Sequence, residues 1–593
     1  MFLRANIRRK NGKPHRYFSV VESRRVLGGG SEQRQVLYLG EINDSQEAAW
    51  RKTLEVFDQR AARREELTLF PDDRPLPPDA LNAVHVKLAE MRLERPRSFG
   101  DCWLGQRLWR QLGLDGFWEE RLGAQRGQAP WAKVLELLVI NRLVAPGAEF
   151  RLHRQWFDQS AMDELLGCDF AVAGKDRLYR CLDLVLPHKD AVFRHLKERW
   201  RDLFSAEFDV LLYDLTSTYF EGSCALIPKA RHGYSRDGRP DCRQVVIALV
   251  VTPDGLPLAY EILPGNTSDK TTLRAALKRI EARYGRARRT WVMDRGIPTE
   301  AVLAEMRAEE VQYLVGTPKG RLTRLERGFL PRPWQEVHAG VTVKLLEESG
   351  ELLVLARSAD RVKKERAIRL KKLRALYAGL QELQRQAPRR DVLLQKLGVL
   401  KHAAGRAANL LECVVPREGQ AVTPQTFRWR LRLDKYKTSA RRDGHYILRT
   451  NLGAEDPALL WERYTQLTEV EAAFKCLKSD LAIRPIHHQL EERVEAHIFV
   501  AFLAYALSAT LRKQLQVQAP GLTPRAVLDK LAAIRMLDVH LPTSDGRCLV
   551  MPRYTQPQVE QEMLLQRLRL HLPSQPPPRI LAPHSPGKTT PAR

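Results

Sequence analysis

The sequence predicts an α/β protein in which a mixed five-stranded sheet with helices is interrupted by a long insertion. Three observations predict it. Residues 206–320 alternate apolar runs and amphipathic stretches in the order β-β-β-α-β-α-β. Two of the strands carry an aspartate: Asp214 inside FDVLLYDLTSTYF and Asp294 at the end of RRTWVMD. Residues 441–512 then return with a strand and a helix, YTQLTEVEAAFKCLK, that offers Glu471.

Within 206–320 each element has its own signal. FDVLLYDLT reads as the first strand. CRQVVIALVVT and GLPLAYEILP follow as a pair joined by an Asp254-Gly255 turn. TTLRAALKRIEARYG is an amphipathic helix, RTWVMD a fourth strand, PTEAVLAEMRAE a second helix and VQYLVGTPK a fifth strand. This is the element order of an RNase H-like core. In that order strands one and four are neighbours, so Asp214 and Asp294 should meet. An ionised Asp in an apolar strand is costly unless it is paired or holds a metal.

The flanks divide by composition. Residues 1–75 read as a β element and a linker helix, with an Asn11-Gly12 turn, a third strand in QRQVLYLGEI and a charged helical stretch over 46–75. Residues 76–205 read as a helical region suited to DNA binding. Its helix PHKDAVFRHLKERWRDLF places Val192, Phe193, Leu196, Trp200 and Leu203 on one face. Residues 321–440 are an insertion subdomain: a β hairpin, GVTVKLLEESGELLVLARS, then a helical hairpin. The run from Arg361 to Arg374 holds eight basic residues and one acid, and leads into a stripe of Leu373, Leu376, Tyr377, Leu380 and Leu383. Such a run is a solvated face or a DNA contact. In 441–512, RRDGHYILRTN is a strand, Asp456 caps a helix that has Pro457 at its first position, and RVEAHIFVAFLAYALSATLRK is an apolar helix flanked by charge. Residues 513–572 form a mixed C-terminal region, and the Pro-rich 573–593 is expected to be a disordered tail.

At 593 residues the chain has room for several domains. A formal net charge of +26 favours a polyanionic partner, because each cation set on a phosphate releases a counterion. The eight cysteines form no CxxC pair, which argues against a zinc knuckle and for reduced cytosolic thiols. The start, MFLRANIRRKNGK, has no apolar signal core, so the expectation is a cytoplasmic protein with no membrane partner.

Three converging carboxylates suit magnesium, which takes oxygen ligands and keeps several waters. Two such ions can serve an in-line displacement at a phosphodiester. Positions 464, 467, 471, 474 and 478 step by three and four, so an unbroken helix would put Tyr464, Glu471 and Lys478 on one face. Each acid also has a plain structural reading. Asp214 would be a buried structural Asp, Asp294 would cap the following helix, and Glu469 would take the place of Glu471. Trp429 and Trp461 read as core tryptophans before they read as base-stacking groups.

Several long motifs occur in order: DVLLYDLTSTYFEG, GYSRDGRPDCRQV, LPGNTSDKTTL, WVMDRGI, DGHYILRTN and YTQLTEVEAAFKCLKSDLAIRPIHHQLEERVEAHIFVAFLAYAL. Together they resemble the DDE transposases of bacterial insertion sequences, in the group with a Tyr-Arg-Glu-Lys signature. The resemblance covers nearly the whole chain. It implies a catalytic and metal-binding triad of Asp214, Asp294 and Glu471, holding two Mg²⁺ ions that Mn²⁺ can replace. It puts the signature Tyr on Tyr464 and the Lys on Lys478 as DNA contacts. The signature Arg position holds Leu467, with Arg463 or Lys475 as stand-ins. It further implies double-stranded DNA partners, namely the inverted-repeat ends of the element and a target, a homodimer in the synaptic complex, and cleavage through a DNA hairpin. Two other readings stand beside it: a catalytically silent DNA-binding protein on the same fold, and an RNase H-like nuclease without strand transfer.

Overall fold

The computed structural model describes residues 2–10, 13–25, 31–40, 47, 50–51, 86–123, 130–285, 289–294, 296–317, 328–453, 456–543 and 546–581. The strands Phe2–Lys10 (β1), Lys13–Arg25 (β2) and Ser31–Gly40 (β3) form an antiparallel sheet. Its first pairing closes at Lys10 and Lys13; the predicted Asn11-Gly12 turn lies outside the described residues. Of the linker helix, Glu47, Trp50 and Arg51 are described, and they are helical.

A strand at Arg92–Ser98 (β4) opens the helical region. The expected helices follow: Gly100–Gln111 (α1), Leu114–Leu122 (α2), Trp131–Val144 (α3), Lys175–Val185 (α4) and Lys189–Phe204 (α5), with shorter helical segments between α3 and α4. In α5, Val192, Phe193, Leu196 and Trp200 are buried as the spacing predicts.

The central sheet contains Val210–Tyr219 (β5), Gln244–Val251 (β6), Pro257–Pro264 (β7), Thr290–Met293 (β8) and Gln312–Thr317 (β9) in the spatial order β7-β6-β5-β8-β9. Leu273–Tyr284 (α6) and Glu300–Ala308 (α7) are the two connecting helices. β5, β8 and β9 run parallel, while β6 and β7 are antiparallel to their neighbours. This is the predicted RNase H-like core.

The sheet does not stop at five strands. It has nine, because the returning strand pairs with β9 and the predicted hairpin of the insertion adds beyond it. Gln335–His338 (β10), Val341–Glu348 (β11) and Glu351–Ser358 (β12) join it, and the returning strand His445–Thr450 (β15) sits between β12 and β9. An open β9 edge would leave unpaired N–H and C=O groups; β15 satisfies them through pairs such as Ile447 with Thr317.

From β12 the chain enters the helical hairpin of Ala359–Gln386 (α8) and Arg390–Ala404 (α9). Leu373, Leu376, Leu380 and Leu383 pack there against Leu393, Leu397 and Phe427 in a core of their own. Tyr377, predicted in the same stripe, is exposed instead. A small pair of strands, Leu411–Val414 (β13) and Arg428–Leu431 (β14), and the helix Leu433–Arg441 (α10) complete the insertion.

Pro457–Thr465 (α11), capped by Asp456, and Leu467–Lys475 (α12) follow β15. Glu491–Gln518 (α13) is long and apolar enough to cross a membrane, yet 94% of its apolar window is buried inside the protein. It packs on α3 and α4 and reaches β7, which makes it the central helix of the core. Pro524–Leu531 (α14), Arg535–Pro542 (β16), Cys548–Tyr554 (β17), Val559–Arg567 (α15) and Arg579–Leu581 (β18) end the described chain. β18, β17, β16 and β4 form a four-stranded sheet. Two expectations are corrected here. The first part of the predicted disordered tail is ordered, because β18 adds to the β17 edge and buries Ile580. The start of the helical region contains a strand, because β4 finds its partner in β16, more than 400 residues away in sequence.

Candidate active site

Asp214 lies in β5 and Asp294 directly follows β8. The two strands are parallel neighbours, and the last residues of their ladder are Tyr213 and Met293. The next residue on each chain is the aspartate, so the two carboxylates start from adjacent positions about 4.8 Å apart across the sheet. α12 packs on β5 and brings Glu471 to the same place. Asp214, Asp294 and Glu471 together line a cavity of about 360 Å³ with Thr317, Arg361, Tyr446, Tyr464 and Leu467 among its other walls.

Burial pushes the Asp214 carboxyl up to about 7, and the neighbouring Asp294 and Asp269 push the same way. The Leu215 N–H donates to its Oδ1 at 2.8 Å and, with Arg236, opposes the rise. Among the described residues no Lys, Arg or His is ion-paired with any of the three acids. Three carboxylates with no ion pair among the described residues, one of them raised by burial, fit an oxygen-liganded divalent cation such as Mg²⁺ or Mn²⁺.

The structural alternatives resolve by geometry. α7 is capped by Thr299, whose side chain accepts from the Val302 N–H, so Asp294 is not the cap. Glu469 turns away from the cavity and pairs with Arg512 at 2.6 Å. Trp461 is partly buried and donates to the Tyr446 hydroxyl at 2.6 Å. Trp429 packs in the insertion core.

Of the expected single face, Tyr464 and Glu471 line the cavity together, while Lys478 does not. The helix breaks at Gln466, between α11 and α12, and widens to a π-turn over Cys476–Asp480. Both changes reset the rotation that an even three-and-four spacing assumes. Tyr464 keeps its place in the wall and stacks on Tyr446, with ring centres 6.1 Å apart. Lys478 is rotated out and donates to Asp237 at 2.8 Å, where Arg484 also binds. Lys475 is exposed and Arg463 partly buried, and neither lines the cavity.

Sequence reasoning missed the GYSRDGRP segment as part of this neighbourhood. The Arg236 N–H donates to Ser217 on β5, and the Arg236 guanidinium pairs with both oxygens of Asp269. The signal was the pairing of two charged, glycine-containing motifs with the Asp214 strand. It also missed Arg361, which reaches the cavity from the insertion.

A second group of ligand-type side chains, Glu149, His488 and His497, is buried elsewhere. Burial and Arg142 push His497 down to about 4, so it stays neutral. The Arg142 guanidinium stands 3.4 Å from its Nδ1 and 4.0 Å from Glu149. Glu149 thus faces His488, His497 and Arg142 in one buried cluster.

The family comparisons agree with the geometry. The model for the IS1634 family transposase N-terminal domain matches residues 3–67. No curated protein matches the chain. The model for the transposase DDE domain matches residues 205–507, from just before β5 into α13, and so takes in all three acids. A match over half of the chain, centred on this site, places the protein: it belongs to the DDE transposases of insertion sequences.

Proposed function

We propose that this transposase binds the inverted-repeat ends of its own element and catalyses metal-dependent cleavage and strand transfer on double-stranded DNA, by a cut-and-paste route. The observation that carries this is the convergence of Asp214, Asp294 and Glu471 on one cavity, with two of them at matching positions of adjacent strands. The three carboxylates would hold two divalent ions, which when bound activate the attacking oxygen and stabilise the leaving one. The protein's own part is positioning. The rigid β5–β8 pair fixes Asp214 and Asp294, and α12 presents Glu471 from the side. Asp214, whose carboxyl burial pushes up to about 7, would give up its proton to hold a cation.

The exposed basic side chains of α8, including Lys363, Lys364, Arg366, Lys371 and Lys372, supply a surface for the DNA backbone. Two chains acting on two element ends are the expected synaptic unit, in the bacterial cytoplasm at the nucleoid.

The test is incubation of the purified full chain with Mg²⁺ and duplexes carrying the terminal repeats that flank its gene, together with a target plasmid. Cleavage at the repeat ends and joining to the plasmid support the proposal. Cleavage without joining reduces the protein to a nuclease. Binding without cleavage leaves a DNA-binding protein on the same fold.

A further inference from the structure

Arg361 stands in the wall of the three-carboxylate cavity, in the first turn of α8. Helix stability does not account for it there. A cation in the first turn opposes the helix dipole. Its partner Glu365 lies four residues later, and basic-before-acidic is the weaker order for such a pair.

The side chain is nevertheless fixed on two sides. Its Nε donates to Glu365 at 3.2 Å, and Glu365 in turn accepts from the Gly444 N–H at 3.1 Å. The guanidinium carbon lies 4.9 Å from the centre of the Tyr446 ring, a cation–π contact. Tyr446 is itself held by the Trp461 donor and by stacking on Tyr464. The two terminal nitrogens have no hydrogen-bond partner among the described residues. Arg361 is also the only cation among the described residues lining the cavity, and it makes no ion pair with the three acids across it. Leu467, on the α12 side of the same wall, is apolar and buried.

A guanidinium with its Nε edge occupied and its plane supported, but its fork open, is preorganised for a planar, bidentate acceptor. We propose that Arg361 binds a phosphate of the DNA strand held at the three-carboxylate site, so that the insertion supplies a charge that the Glu471 helix lacks. This rests on reading the cavity as the phosphoryl-transfer site.

The test uses the full chain, Mg²⁺ and a duplex carrying the flanking terminal repeat, in versions with one methylphosphonate at the scissile phosphate or at either neighbour on each side. A methylphosphonate removes the charge of one phosphate. Arg361→Ala should slow cleavage at saturating DNA at least tenfold, with Arg361→Lys intermediate. One methylphosphonate should slow the wild type by a similar factor and leave Arg361→Ala no slower than it already is. A structural role would not produce that cancellation. Mn²⁺ binding to the DNA-free protein, followed by electron paramagnetic resonance, should match wild type. If Arg361→Ala fails to fold, Arg361→Gln carries the same comparison.

Equal cleavage by wild type and variant, or equal sensitivity of both to every methylphosphonate, overturns the proposal. Asp294→Asn separates the two readings. If it is inactive while Arg361→Ala cleaves normally, only the arginine assignment falls. If Asp294→Asn cleaves, the reading of the cavity falls with it.

Discussion

Asp214 and Asp294 each follow a residue of one register pair, Tyr213 and Met293, on adjacent parallel strands. Their proximity is thus fixed by sheet register, and a one-residue slip would turn one of them to the opposite face. Asp214→Asn, Asp294→Asn and Glu471→Gln should each reduce cleavage of terminal-repeat DNA by at least about a thousandfold, or ~4 kcal/mol at the barrier. Binding of the same DNA in gel shifts should stay within about threefold. Loss of binding in step with cleavage would mean that these acids hold the fold and not the chemistry. Asp294→Asn should also let Asp214 ionise at lower pH, because one of the charges that raises it is gone.

A second carboxyl provides a pH test away from the cavity. Glu136 on α3 is buried, and burial pushes it up to about 7 against the opposing hydrogen bond from Gln106. Its folded value lies above its unfolded one, so between about pH 4.5 and 7 the folded state binds more protons. Its contribution is therefore fully present below that window and is lost as pH rises through it. Glu136→Gln removes this loss. The variant should gain about 2 kcal/mol relative to wild type on going from pH 5 to pH 8, measured by denaturant unfolding. A difference that does not change with pH would show that Glu136 is ionised throughout.

The legible parts of the fold were those with local signals. β5 to β9 announce themselves as apolar runs bounded by turns, and Asp214 and Asp294 stand out because a charge interrupts or ends such a run. Asp456 and Pro457 marked the start of α11 because a cap is a short-range device. β4 was not legible: RLERPRS is charged, contains a proline and is a strand only because β16 pairs with it. The fate of Lys478 was hidden for a different reason. Helical periodicity extrapolates across a break and a π-turn that no residue in the sequence announces. Arg361 was visible only as one of eight cations in a run, and nothing local distinguished the one that β12 and α8 carry to the cavity.

Lys478 gives a coupled prediction. Its partner Asp237 is buried, with a side chain 3% exposed, and sits one residue from Arg236, whose charge reaches Asp214. Lys478→Met leaves Asp237 with Arg484 alone. Unfolding free energy should drop by about 2–3 kcal/mol, the cost of an imperfectly compensated buried charge. The double variant Lys478→Met/Asp237→Asn should recover at least half of that loss. Additive losses in the double variant would show that the pair is not coupled.

Arg97 tests whether β4 and β16 are joined by charge. Its side chain is fully buried and donates to both oxygens of Asp163 at 2.8 Å and to Asp538 on β16 at 2.5 Å. Arg95 bridges the same two carboxylates from the more exposed side. β4 has few apolar residues with which to hold its place against β16, so the clasp adds to the ladder that pairs them. Arg97→Met fills a similar volume but strands two carboxylates with Arg95 alone, and should cost about 3–5 kcal/mol. Arg97→Lys keeps the charge but cannot span both acids with a planar fork, and should cost less than Arg97→Met but more than 1 kcal/mol. Because β4 and β16 lie apart from the three-carboxylate cavity, hydrogen exchange should rise first in β4, β16 and β17 of Arg97→Met while β5 and β8 stay protected. Uniform exchange across both sheets would show that the C-terminal sheet and the catalytic core unfold as one unit.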